Sequence, residues 1–207
     1  MIQVQSKDIT LADFLALPER KPALEYVDGQ IFEKVMPKGK HSTLQTELSF
    51  TLNSVLKQKK IAWAFTELRC SFGNSSIVPD IAVFTWERIP CDENGEVADN
   101  FYLAPSWTIE ILSPEQSRTK VIKNILYCLN DKTEMGWLID PQEQSIFVYQ
   151  PQRSPEIVDE WESVLLLPGF AKEIKLTLGE IFGWLMKYPA AASCGVSRKG
   201  ITVIVEL

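Results

Sequence analysis

The sequence predicts an α/β domain in which a mixed central β-sheet is flanked by helices. Runs rich in β-branched and aromatic residues alternate with segments whose apolar residues repeat at helical spacing. The order along the chain is a helix, several strands, a second helix and further strands. A doubly wound nucleotide-binding fold would need a glycine-rich turn from a strand into a helix, and the sequence contains none.

The first third of the chain predicts a helix, a hairpin and a longer helix. Residues 10–17 form a short amphipathic pattern that ends before a proline. Residues 23–36 predict a β-hairpin around Asp28-Gly29, a dipeptide typical of tight hairpin turns. Leucines then repeat at helical spacing from about residue 41 to 57, so we expect that helix to pack on the sheet.

The middle of the chain predicts the strands that carry the most informative residues. Strands are expected over 61–72 and 77–84, with a Gly-Asn-Ser-Ser turn between them. Pro79 makes the second an edge strand or marks the point where it begins, so Asp80 is expected at the start of a strand. Residues 87–100 contain Pro, Asp, Asn and Gly and predict a polar surface loop. Another strand surrounds Glu110, and a helix follows from about residue 117 to 130.

The last third predicts further strands, a helix and a tail. The predicted elements are strands over 135–140, 145–149 and 161–167 and a helix over 177–187. The helix is predicted because Thr177 and Glu180 have the spacing of a capping box. We interpret residues 1–188 as one domain and 189–207 as an extension, either an extra edge strand or an unpacked segment.

Composition narrows the class of protein. With 207 residues and 45% hydrophobic content, the chain can bury one substantial core. Its net charge of -6 argues against nonspecific coating of nucleic acid, although lysines cluster locally, as at Lys34, Lys38 and Lys40. The four cysteines lack metal-site spacing and predict free thiols. Without a signal-peptide pattern or a membrane-spanning stretch, we expect a cytoplasmic protein.

Two carboxylates lie in apolar, strand-like segments, where burying a charge is costly. Asp80 begins one apolar run and Glu110 lies within another. An unpaired buried carboxylate costs several kcal/mol, so a cation is expected beside them. On neighbouring strands about 4.8 Å apart, both could bind one Mg²⁺ or Mn²⁺, as in a metal-dependent phosphodiesterase. Taken singly, Asp80 could instead cap a turn and Glu110 could pair with a lysine.

Several short stretches occur in an order that resembles a known nuclease family. The matching stretches are residues 24–29, 37–41, 78–80, 109–114, Lys123 with Tyr127, and 136–141. With these stretches the chain resembles the PD-(D/E)XK nuclease superfamily and, within it, the Uma family of restriction endonucleases, which is common in cyanobacteria. The resemblance implies a restriction-endonuclease-like core, in which a mixed central β-sheet flanked by helices holds a metal ion at one end.

The resemblance also implies roles for individual residues. Asp80 and Glu110 would be the metal ligands, Glu25 would complete the metal shell or bind a second ion, and His41 would contact a phosphate or the water around the metal. An ion held there would activate a water molecule and neutralise charge on the scissile phosphate. Glu25 could equally point to solvent, and His41 could make a purely structural hydrogen bond.

The sequence departs from the superfamily pattern at one position. Leu112 stands two residues after Glu110, where the superfamily has a lysine. In the family the following helix is thought to supply the lysine, which implies Lys123 as the group that stabilises charge on the phosphate. By helical phase, however, Lys123 lies away from the apolar face of that helix, so an exposed lysine is the alternative.

These observations predict a metal-dependent endonuclease that hydrolyses phosphodiester bonds of nucleic acid, most simply DNA. A homodimer is expected because nucleases of the superfamily often act on two strands as pairs. One alternative is a catalytically inactive module that binds nucleic acid or protein and retains the nuclease fold. Another is a dimeric scaffold whose acidic cluster binds a structural ion.

Overall fold

The computed structural model describes residues 2–4, 9–114 and 116–187. It is a mixed α/β structure with two sheets and flanking helices, so the predicted fold class is confirmed. The strands are β1 (Ile2–Val4), β2 (Leu24–Val27), β3 (Gln30–Glu33), β4 (Ala62–Thr66), β5 (Cys70–Phe72), β6 (Ser75–Ile77), β7 (Ile81–Thr85), β8 (Trp107–Ile111), β9 (Met135–Asp140), β10 (Ser145–Tyr149) and β11 (Glu156–Val158). The helices are α1 (Leu11–Leu15), α2 (Gly39–Leu56), α3 (Arg118–Leu129) and α4 (Leu178–Gly183).

The larger sheet has six strands in the order β11-β10-β9-β8-β7-β4. Only β8 and β9 run parallel among its pairs, and α3 makes the crossover between them. The leucines of α2 pack on one face, in a core with Ile109 and Trp137. Helix α3 packs on the other face, where a Cβ on Gly136 would collide with Ile125. Glycine in β9 therefore allows α3 to approach the sheet closely.

The smaller sheet has five antiparallel strands in the order β1-β3-β2-β6-β5. The predicted hairpin is present as β2 and β3. Its turn residues Asp28 and Gly29 have φ angles of 50° and 75°, the left-handed conformation that a type I′ turn requires. Strand β2 carries Glu25, and Lys34 follows β3 directly.

The prediction of a single strand over 61–72 was wrong, and so was that of one strand over 77–84, although the alternative in which a strand begins at Pro79 is close to the observed start of β7 at Ile81. Each segment forms two strands that belong to different sheets. The first break lies at Glu67, whose φ of 53° is incompatible with a continuing strand. The second lies at Pro79, which has no N–H to donate to a neighbouring strand. The chain therefore crosses between the sheets twice, and Glu67 and Asp80 both lie at these crossings.

The prediction of a strand over 161–167 was also wrong. Within that segment only Val164 makes an isolated bridge, to Thr177. The edge strand is β11 instead, which pairs with β10. Helix α4 is shorter than predicted, but the capping box of Thr177 and Glu180 is present. The predicted extension over 189–207 lies outside the described residues.

Two further expectations from composition concern the thiols and the membrane. Cys70, Cys91 and Cys128 are free thiols, and Cys194 lies outside the described residues. Among the helices of the described ranges, none combines the length and apolar character that crossing a bilayer requires.

Candidate active site

Asp80 and Glu110 face each other on adjacent strands of the larger sheet. The register of β7 and β8 pairs Ile81 with Ile109, and extending it by one residue places Asp80 opposite Glu110. Both residues are almost fully buried. Asp80 Oδ2 accepts a hydrogen bond of 2.7 Å from the backbone N–H of Ile111, which fixes one side of the carboxylate.

Lys34 brings a positive charge to the other oxygen of Asp80. Its Nζ lies 2.7 Å from Asp80 Oδ1 and donates to the Glu67 carboxylate at 3.0 Å and to the carbonyl of Val78 at 2.8 Å. The Lys34 side chain is only 7% exposed. Since an ammonium group has three protons, these partners satisfy it completely and fix its position beside Asp80.

His41 joins the same group from the first turn of α2. The residue is buried, its Nε2 lies 3.3 Å from Asp80 Oδ1, and its Nδ1 lies 3.2 Å from Ser113 Oγ. Gln45, one turn later, donates to the Asp80 carbonyl at 2.8 Å and to Glu67 Oε1 at 3.0 Å. The amino-terminal part of α2 therefore holds the segment around Asp80 in place.

Glu25 points into the protein, so the alternative of a solvent-facing residue is excluded. It is 1% exposed and accepts hydrogen bonds from the Val78 N–H at 2.9 Å and from Asn124 Nδ2 at 3.2 Å. Asn124 belongs to α3, and Val78 precedes Asp80 by two residues. Glu25 thus links the smaller sheet to α3 and to the strand crossing that carries Asp80.

The structure does not bring Lys123 into this cluster. Its side chain is exposed, and among the described residues no hydrogen bond or ion pair connects it to Asp80 or Glu110. The next residue, Asn124, is the one that α3 turns toward Glu25. Charge patterning alone distinguishes Lys34 only as a member of a lysine cluster. The sequence does contain a further sign that Lys34 is unusual. It is a charged residue within the largely apolar second arm of the predicted hairpin, just as Asp80 and Glu110 are charged residues in apolar strand-like runs.

Comparison with known proteins identifies the family. A sequence model of the Uma2 family, described as "Putative restriction endonuclease", matches residues 11–179. The chain belongs to the Uma2 family. The matched region includes every residue of the cluster described above.

A solved structure supports the same relationship. This Uma2 protein is similar to a protein from Anabaena variabilis ATCC 29413 that is described as a putative nuclease belonging to DUF820. The two are 57% identical, the match covers 86% of this chain and 99% of the other, and the TM-score is 0.85. No protein with a curated description matches the chain.

The charges in this Uma2 site hold Lys34 and Asp80 as an ion pair. Burial alone would lower the pKa of Lys34, but the surrounding carboxylates, of which Asp80 acts most strongly, raise it above the ordinary lysine value. Burial alone would raise the pKa of Asp80, but the charge of Lys34 and the hydrogen bond from His41 lower it well below its usual range. Asp80 is therefore ionised at neutral pH.

The other two buried carboxyl groups behave in the opposite way. Burial raises the pKa of Glu110 well above the ordinary value, and the charge of Asp80 raises it further. Burial also raises the pKa of Glu25, although Lys34 and the hydrogen bond from Val78 oppose the effect. Lys34 carries one positive charge and lies beside three buried carboxyl groups, so it cannot neutralise all three when they are ionised. This imbalance favours the binding of a further cation.

The donor atoms of the cluster fit a divalent cation. Glu110 Oε1 is buried and has no hydrogen-bond partner among the described residues, so one oxygen is available to a ligand. One possible ligand atom from each of His41, Glu67 and Asp80 lies within 4.8 Å of the others. Carboxylate oxygens suit Mg²⁺ and Mn²⁺, and imidazole is compatible with transition metals.

We predict that Glu110 makes the metal-free protein less stable as the pH rises. Its raised pKa means that the folded state holds a proton that the unfolded state loses above pH of about 4.3, so stability falls as the pH rises through the folded-state pKa. The contributions of Asp80 and Lys34 stay constant between pH 5 and 8, because the pKa of Asp80 is lowered and that of Lys34 raised.

Glu110→Gln should therefore be more stable than the wild type at pH 8 and should show a weaker fall in stability from pH 5 to 8. The free energy of unfolding in urea, measured in EDTA across this range, checks the prediction. Glu93→Gln in the exposed loop is the matched control. An equally steep fall in Glu110→Gln and wild type would contradict the assignment of this effect to Glu110.

Proposed function

We propose that this Uma2 protein is a divalent-metal-dependent endonuclease that hydrolyses phosphodiester bonds of nucleic acid, with DNA as the substrate. The observation that carries the proposal is the convergence of the buried carboxyl groups Asp80, Glu110 and Glu25 on one buried lysine, Lys34. Membership of a family described as "Putative restriction endonuclease" and the similarity to a protein described as a putative nuclease support it.

Asp80 and Glu110 would hold the metal, which we take to be Mg²⁺ or Mn²⁺. The bound metal would supply Lewis-acid chemistry, activating a water molecule and reducing the charge on the phosphate. Asp80 suits this role because it is ionised and held by the Ile111 N–H. Glu110 suits it because its Oε1 is unsatisfied. His41 and Glu67 would add further ligands, since each has a possible ligand atom within 4.8 Å of one on Asp80.

Lys34 would take the place of the lysine that Leu112 replaces. A phosphate that approaches the Asp80 carboxylate also approaches the Lys34 ammonium, which lies 2.7 Å from that carboxylate. A fixed positive charge there stabilises the negative charge that develops on the phosphate during hydrolysis. Lys123 remains the candidate implied by the family pattern. Glu25, which is held by Asn124, would position the segment that carries Asp80 through its hydrogen bond from the Val78 N–H.

One observation favours a noncatalytic binding module as the second candidate. The charge of Asp80 is already balanced by its ion pair with Lys34, so the fold does not need a metal to neutralise this carboxylate. A protein of this kind would bind nucleic acid or protein without cleaving it. For the nuclease we also propose a homodimer, with one active site for each strand.

Cleavage assays with and without metal test the proposed function. Purified protein should cut plasmid or single-stranded DNA in Mg²⁺ or Mn²⁺, lose this activity in EDTA, and recover it when metal is added back. Folded wild-type protein that leaves DNA and RNA intact in every metal would instead favour the binding module. Light scattering of the same sample measures whether the protein is a dimer.

A further inference from the structure

A cavity of about 450 Å³ lies directly beside the candidate active site. Its walls come from the first residues of α2, the turn after β8 and the turn after β9. Its volume is within the range of sites that bind small organic ligands. His41 lines the cavity and also lies 3.3 Å from Asp80, so an occupant would be separated from Asp80 by one side chain.

One side of the cavity is suited to a phosphate group. The backbone N–H groups of Gly39, Lys40 and His41 belong to the first turn of α2, and Lys38 at the N-cap provides no side-chain hydrogen bond to them. Such N–H groups and the helix dipole favour an anion. The exposed ammonium of Lys40 adds positive charge.

The rest of the cavity wall has apolar residues and amide groups that a phosphate would not require. Leu112, Pro114 and Pro141 present apolar surface to the cavity, and the ion pair of Arg118 and Asp140 also lines it. At its margin, Gln142 is exposed, and Gln116 uses its Oε1 to accept from the Ser113 N–H, which leaves its amide NH₂ group as a donor. Apolar walls with a few amide groups suit the face and the edge of a nucleobase. The two halves of the cavity together match a nucleotide.

We propose that this cavity receives one unpaired nucleotide of the substrate, adjacent to the phosphate that is cleaved. The inference rests on the proposed function and specifies its substrate class. A base in an intact duplex is stacked and paired, and bringing it into a cavity costs a few kcal/mol of flipping energy. The preferred substrate is therefore a single strand, a loop or a displaced strand.

The experiment fills the cavity from its exposed margin. Gln142→Trp places an indole at the mouth. Among the described residues, Gln142 makes a hydrogen bond only through its backbone N–H, which donates to Asp140 Oδ1. Gln58→Trp is the matched control, at an exposed position just beyond the carboxyl end of α2. Binding of a labelled single strand and of the same sequence as a duplex is measured by fluorescence anisotropy in EDTA.

The wild type should bind the single strand more tightly than the duplex. Gln142→Trp should weaken single-strand binding about tenfold, equivalent to about 1.4 kcal/mol, while Gln58→Trp should not change it. Equal affinity of the wild type for the two DNA forms, or wild-type affinity in a folded Gln142→Trp, would overturn the inference.

A second variant, Lys40→Ala, tests the same inference if Gln142→Trp does not fold. Lys40→Ala should weaken single-strand binding and reduce its salt slope by about 0.7. Lys172→Ala is its control, since Lys172 adjoins Glu173, which pairs with Lys59 beyond the opposite end of α2. Wild-type affinity and salt slope in Lys40→Ala would overturn the inference.

Binding in EDTA also separates this inference from the proposed function. Failure to cleave would overturn the nuclease while the expected binding pattern still supported a nucleotide site. A cleaving enzyme with unchanged binding in Gln142→Trp would retain the nuclease and overturn the nucleotide site. In a cleaving enzyme, Gln142→Trp should raise KM for a single strand more than it lowers kcat.

Discussion

Replacing Asp80 with Asn is expected to reduce cleavage by about 10³-fold or more, because the loss of a metal ligand removes several kcal/mol of transition-state stabilisation. The shape of the side chain is retained, and an amide oxygen can still accept the hydrogen bond from the Ile111 N–H. Lys34 keeps Glu67 and the Val78 carbonyl as partners, so the variant should fold. Initial cleavage rates in saturating Mg²⁺ check the prediction.

The same variant should keep its affinity for DNA. Removing a negative charge next to the phosphate reduces repulsion, so binding in EDTA should be unchanged or tighter while cleavage is lost. Asp99→Asn, in an exposed part of the loop before β8, is the matched control and should cleave like the wild type. Folded Asp80→Asn with near wild-type cleavage would remove Asp80 from the proposed metal centre.

The sequence predicted Asp80 and Glu110 because each interrupts a pattern that is visible locally. A carboxylate in an apolar run is conspicuous without knowledge of the fold, and adjacent strands then bring the two together. Lys34 obeys the same rule. In the sequence, however, Lys34 belongs to a cluster of lysines, and such a cluster is more often a solvated face, whereas this lysine is enclosed by Glu67 and the Val78 carbonyl.

Other parts of the site depend on contacts between residues that are distant in the chain. Gln45 contacts the Asp80 carbonyl across 35 positions, and Asn124 contacts Glu25 across 99. An amide on a helix has no local signal that would reveal such a partner. Helical phase nevertheless carried information, because it placed Lys123 away from the buried face, and α3 turns Asn124 inward.

The strand breaks at Glu67 and Pro79 show a different limit. The hydrophobic pattern continues through both segments, so a single strand is the simplest reading of each. A left-handed φ at Glu67 cannot be inferred from a glutamate, and the proline at 79 was interpreted as the start or edge of a strand. These crossings matter for function because they place Glu67 and Asp80 where the two sheets meet.

Replacing Lys34 with Met is expected to have two large effects that differ in their dependence on pH and metal. Without the ammonium, Asp80 loses its closest buried cation, and removing one partner of a buried ion pair costs about 3–5 kcal/mol. The loss should be smaller at pH 5 than at pH 8, because protonation of the cluster's carboxyl groups relieves the repulsion among them. Added Mg²⁺ should restore part of the stability, since it supplies the missing positive charge.

Cleavage by Lys34→Met should fall about 10²-fold to 10³-fold even where the variant is folded, because a fixed charge beside the phosphate contributes that much to the transition state. Lys123→Met is the decisive partner variant. It removes an exposed lysine from α3 and should leave both stability and cleavage near the wild-type level. Urea unfolding with and without Mg²⁺, together with single-turnover cleavage, measures both effects. If Lys34→Met cleaves normally and Lys123→Met does not, the lysine implied by the family pattern stabilises the phosphate, and Lys34 serves to hold the carboxylates together.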